Sequence, residues 1–170
     1  INLDEIIVED NSSNATSGIR FNPLLDFNFQ LSVDELTYKK FSCEKIRGNI
    51  TLQNSELNTD ALRFNTCNGS VSLQGSIAVS ANDSLLISCD AVCSNISIAR
   101  LFTETNNFGQ QVVQDKHLSG TLTTQIGFAS MWSKTLEANP KTIYAKCNVL
   151  IENGELINFA PLKALSKFVK

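Results

Sequence analysis

The chain has 170 residues, 42% of them apolar and only 18% charged, with a formal net charge of −3. That length fits one domain with enough apolar content for a real core, and it excludes a multidomain enzyme. The 14 basic residues are spread thinly, so nucleic acid has no electrostatic footprint here, and no apolar run exceeds three residues, far from the roughly 18 of a membrane span.

In chain order, residues 1–22 read as a flexible lead-in, because Asp4, Glu5, Glu9 and Asp10 are followed by a Ser- and Asn-rich stretch. Residues 23–170 read as a single β-rich module. Period-two alternation opens it: Leu25, Phe27, Phe29, Leu31 and Val33 alternate with Asp26, Asn28, Gln30 and Ser32, which predicts a long half-buried strand. From Phe41 onward the apolar positions change parity, odd at Phe41 and Cys43 but even at Ile46, Ile50 and Leu52. A bulge or bend near Lys45 is therefore expected.

A strand over 62–66 turns at Asn68 and Gly69 into a second, where Val71, Leu73, Ile77 and Val79 alternate with Ser and Gln. Asn82 and Asp83 would turn this strand into a third that carries Leu85, Ile87 and Cys89. Ile98, Leu101, Phe102 and Thr105 recur at helical spacing behind Ser97, a suitable N-cap, so 97–106 is predicted as a short helix. Alternation returns at Leu118, Leu122, Ile126 and Phe128, and again from Ile143 to Ile151. A turn of helix is expected over 133–138, a hairpin turn at Asn153 and Gly154, and a last helix over 159–170 with Pro161 in its first turn.

The fold class that follows is mainly β (α+β), a curved, groove-like open antiparallel sheet of about seven short strands with two or three short helices. Such a sheet has one dry face and one wet face, and two or three short helices are little material to cover the dry one. Part of that face is expected to cover a ligand or an adjoining module. Phe27, Phe29, Leu31, Leu73, Ile77, Leu122, Ile126 and Phe128 form the candidate apolar floor, suited to acyl chains, which need burial and little directional bonding. The same residues would equally make an ordinary core beneath the helices.

Four stretches carry a resemblance: 69–77 (GSVSLQGSI), 95–102 (NISIARLF), 118–128 (LSGTLTTQIGF) and above all 151–168 (IENGELINFAPLKALSKF). In order and spacing they resemble the C-terminal region of AsmA-family envelope proteins over most of residues 25–170. The resemblance implies a periplasmic β-groove, similar to bridge-like lipid transporters and tethered to the inner membrane by an anchor outside this chain. It implies acyl-chain lipids such as phospholipid as ligand, neighbouring modules of the same chain as partners, and a part in phospholipid transport or outer-membrane integrity. It brings no catalytic residues and no cofactor. The start at Ile1 and the helical pattern that runs to Lys170 read as a piece of a longer protein.

Other constellations point away from chemistry. His117 lies in a polar stretch without a nucleophile motif, Glu152 and Glu155 are expected in solvent, and no glycine loop opens a helix to hold phosphate. Five cysteines are an odd number, and only Cys89 and Cys93 are close in sequence, so core packing explains them better than a metal site. Lys163, Lys167 and Lys170 suit the C-terminal end of a helix as well as a lipid headgroup. The six Asn-x-Ser/Thr sequons arise readily in so asparagine-rich a chain. Trp132 reads as a packing anchor. The second reading of the whole is a scaffolding module whose open strand edges dock on neighbouring repeats or on an envelope protein.

Overall fold

A computed structural model of the chain describes residue 21 and residues 24–80 and 84–159. Seven strands, β1 (Phe27–Tyr38), β2 (Phe41–Gln53), β3 (Glu56–Thr66), β4 (Gly69–Val79), β5 (Leu85–Ser97), β6 (Leu118–Trp132) and β7 (Tyr144–Leu156), form one sheet in chain order. Every neighbouring pair is antiparallel. The expected open antiparallel sheet is therefore present, but its strands run to 11–15 residues and are not short. The predicted lead-in, apart from Phe21, and the predicted helix over 159–170, apart from Phe159, lie outside the described residues.

Two-residue loops in left-handed backbone join the first hairpins. Asn54 and Ser55 have φ of 52° and 61°, and Cys67 and Asn68 have 48° and 62°, values that match the strand twist. The turn expected at Asn68 and Gly69 is thus shifted back by one residue, and Gly69 opens β4 opposite Thr66. A glycine is required there for another reason: an added Cβ would lie 2.4 Å from the Ser94 carbonyl oxygen. Residues 81–83, the predicted Asn82 and Asp83 turn, lie outside the described residues, though Val79 and Leu85 pair on either side of it.

Bulges let the apolar side chains stay on one side of such long strands. Lys45 (φ 54°) is the extra residue of β2 against β3, so Cys43 and Ile46 are both buried despite opposite parity, as the sequence pattern demanded. Asn95 (φ 56°) is the extra residue of β5 against β6. The Asn153 and Gly154 pair, expected to be a hairpin turn, is another bulge instead. Glu152 pairs with Thr121 and Glu155 with Ser119, so β7 passes through without reversing. An asparagine at positive φ (50° here) serves a bulge as readily as a turn.

One seven-residue helix, α1 (Ile98–Glu104), follows β5, with the Ser97 hydroxyl accepting from the Arg100 N–H as predicted. Among the described residues, short 3₁₀ turns follow at Asp115–His117 and Pro140–Thr142, whereas Asn106–Gly109 is a left-handed turn with φ between 52° and 72°. The turn of helix predicted over 133–138 does not form. Leu136 adopts φ 61°, the Ser133 N–H donates to the Glu137 carbonyl, and Ala138 bridges back to Trp132, which makes the segment a loop folded against the end of β6.

Ile46 and Leu52 are buried on β2, and further packing lies at two places. Beneath α1, Cys67, Val71 and Ile96 form a cluster, with Phe64, Leu73, Cys93, Leu101 and Leu122 against it. At the far end of β5, Leu85 is fully buried opposite Val79 and Trp132, while the Thr142 hydroxyl lies 3.3 Å from the hydroxyl of Ser130 and accepts from the Met131 N–H.

All five cysteines are free thiols. Burial pushes those of Cys43, Cys67, Cys89 and Cys93 up, whereas Cys147 is exposed on β7. In the native chain, iodoacetamide should modify Cys147 first and reach Cys43 and Cys67 only on unfolding, which peptide mass mapping will check. The unfolded thiols ionise near pH 8.5 while these four keep their protons in the folded chain. Their stabilising effect is therefore complete below that pH, and the urea midpoint should fall as the pH is raised beyond it.

Candidate functional site

Residues directly opposite in an antiparallel pair share a face of the sheet, and alternate residues of a strand take opposite faces. The register thus decides where the candidate floor lies. Phe27 is opposite Leu52, Leu52 opposite Leu57, Leu57 opposite Ile77 and Ile77 opposite Ile87. Leu73 is opposite Ala91, and Ala91 opposite Ile126; Cys89 is opposite Phe128, and Ile96 opposite Leu122. With Phe29 and Leu31 on the β1 face of Phe27, all eight predicted floor residues share one face. The other face carries Asn28, Gln30, Asn49, Thr51, Gln74, Ser76, Asp90 and Gln125.

Cover over the apolar face is uneven. Leu122 and Leu73 pack into the cluster under α1, and Ser130 is buried near the loop that carries Thr142. Between these two covered ends lies an almost wholly apolar cavity of about 180 Å³, lined by Ile50, Leu57, Leu73, Ile77 and Ile87. Toward the edges the face opens: Phe27 and Phe29, with ring centroids 5.4 Å apart, are 37% and 42% exposed on β1, and Val149 and Ile151 are more than half exposed on β7.

Leu73 and Ile77 are the only two of the eight that line this cavity, while Ile126 and Phe128 lie farther along the same face. Ile50, Leu57 and Ile87 were absent from the candidate floor. Ile50 and Ile87 belong to alternating runs visible in the sequence, but Leu57 sits in a stretch, Glu56 to Asp60, where it is the lone strong hydrophobe.

The His117 Nδ1 accepts from the Gln114 N–H at 3.2 Å and its ring stands edge-on to Phe159, a structural setting. The Asp115 carboxylate accepts from the Thr103 hydroxyl and the Lys116 N–H, which holds it below the usual carboxylate range and ties its 3₁₀ turn to α1. No group of three or more metal-ligating side chains occurs among the described residues. No described helix is long and apolar enough to cross a membrane. Comparison with protein-family models, with curated proteins and with solved structures finds no match to this chain.

Proposed function

We propose that the chain is a non-enzymatic lipid-binding module, whose apolar sheet face takes acyl chains as one stretch of a longer periplasmic groove tethered to the inner membrane. In that setting it supports phospholipid transport or outer-membrane integrity. The observation that carries the reading is the uneven cover of a single apolar face: two packed ends, an open apolar depression between them, and exposed residues toward the β1 and β7 edges. At about 180 Å³ the cavity is smaller than the roughly 300–1,000 Å³ of ordinary ligand pockets. It suits a length of acyl chain, and the rest of a lipid would lie along the open face.

Titration of the purified chain with cis-parinaric acid, an 18-carbon fluorescent fatty acid, tests this reading. Saturable enhancement is expected. Phe29→Asp and Ile77→Asp, each shown to keep the β-sheet spectrum, should weaken it by about tenfold or more, since a charge on this face must be desolvated. Ser72→Asp, on the opposite face, should leave it unchanged. Absence of saturable binding contradicts the reading.

A docking role is favoured by a different observation: β7 is exposed along its whole length, with Val149, Leu150 and Ile151 in sequence on it, and its outer edge has no strand partner among the described residues. Pull-down of an envelope protein or of a neighbouring module, with no lipid carried along, would favour that role.

A further inference from the structure

The larger depressions of the molecule lie over the face opposite the apolar one. Two clefts, of about 460 and 580 Å³, adjoin there and share Asp60, Gln74 and Asp90 in their walls. The first extends to Asn28 on β1 and the second to Asn148 on β7, so together they form a trough across all seven strands.

The chemistry of this trough is unlike that of an ordinary wet sheet face, which commonly carries Lys and Glu. Its polar side chains are short amides, hydroxyls and carboxylates, with Lys146 as the single cation; Leu73, Ala91, Val92, Ile126 and Tyr144 also line the second cleft, and Cys89 and Phe128 the first. Asn58, Asp60, Gln74, Asp90, Gln125 and Asn148 have no side-chain hydrogen bond or ion pair among the described residues, so their donors and acceptors are free to meet a ligand. Gln74, Asp90, Gly127 and Lys146 are directly opposite one another on β4 to β7, stepping by about 4.8 Å per strand. Gly127 keeps the floor of this row open, because a Cβ there would lie 3.2 Å from Asp90 Oδ1. Tyr144 on β7, 64% exposed, and Val92 on β5, 45% exposed, add apolar surface on either side of the polar row.

From this arrangement we infer that the polar trough binds a neutral, polyhydroxylated chain, an oligosaccharide. Amide and carboxylate groups pair with vicinal hydroxyls in two-point hydrogen bonds, and Tyr144 and Val92 supply what the C–H face of a sugar ring packs against. Two carboxylates against one ammonium give an anionic polymer no counter-charge. The strand spacing also approaches that of successive rings in an extended glycan.

The test is a titration of the whole chain, followed by two-dimensional amide NMR, with two neutral hexasaccharides, one of glucose and one of N-acetylglucosamine. Saturable shifts confined to Gln74, Asp90, Gln125 and Lys146 and their neighbours are expected with at least one of them. Asp90→Ala and Gln74→Ala, both at exposed positions that leave the core intact, should each weaken binding by about tenfold. Gly127→Val, which fills the floor, should weaken it as well. The inference is overturned if neither sugar binds at millimolar concentration, if the two alanine variants bind as tightly as the parent, or if the shifts map to the apolar face. Acyl-chain binding is read independently by the fatty-acid titration, so the two proposals fail separately.

Discussion

Leu85→Ala should destabilise the chain by about 2–5 kcal/mol, the range for deleting a large aliphatic side chain from a packed site. Leu85 is the one described hydrophobe with no exposed surface. It stands opposite Val79 on one side and Trp132 on the other, where β5 begins, so its removal leaves a hole beneath three strands at once. The loss has two parts, the transfer free energy of the deleted atoms and the cavity that long, hydrogen-bonded strands cannot close. Urea denaturation will measure it: a midpoint shift with unchanged slope is expected, and a loss below about 1 kcal/mol would mean that the site collapses around the deletion or that the end of the sheet is loosely packed. Leu86→Ala, one residue on and on the opposite face at 40% exposure, should cost much less.

Gly120→Ala should also be strongly destabilising, by about 2–4 kcal/mol, for a reason unconnected with burial of apolar surface. Gly120 has φ 105°, a conformation that L residues rarely adopt, and it faces the Asn153 bulge of β7. An alanine Cβ would lie 2.8 Å from the Gly154 Cα, 2.9 Å from the Glu152 oxygen and 3.0 Å from the Asn153 oxygen. All three are backbone atoms, so no rotamer change relieves the clash. Either β6 straightens and loses the bulge, or β7 separates from it. Amide exchange distinguishes the two outcomes: faster exchange confined to β7 is expected, because β7 is the edge strand and is held on one side only. A midpoint equal to the parent's would show that the bulge is not needed.

The legibility of this fold in the sequence followed the physics of each segment. Alternation from Leu25 to Val33 marked a strand, which begins at Phe27 and is exposed as far as Gln30, and the parity change around Lys45 announced a bulge, since a buried face cannot switch sides without an extra residue. Ser97 ahead of Ile98 and Leu101 likewise marked α1. Other features were hidden because one local conformation serves two architectures. Asn153 at positive φ makes a bulge in a continuing strand, and nothing in the dipeptide separates that from a hairpin turn; the polar edge of β7 supplied no alternation beyond it to decide. Leu136 in left-handed backbone broke a helix that composition permitted. The start of β3 was obscured because Asn58, Thr59 and Asp60 separate Leu57 from Leu62 and Phe64, the next apolar residues on its face of the strand. The apolar partners of Leu57 lie across the ladder, at Leu52 and Ile77. For the same reason the apolar floor was legible as a set of residues, but the cavity within it depended on which neighbours the register brought together.

Native mass spectrometry of the purified chain, followed by organic extraction of whatever accompanies it, addresses the lipid-binding proposal most directly. Phospholipid should co-purify at a reproducible ratio and be lost from the folded Phe29→Asp and Ile126→Asp variants, whose substitutions place a charge on the open face. A lipid-free parent chain, or lipid retained undiminished by both variants, would contradict the assignment of that face to acyl chains.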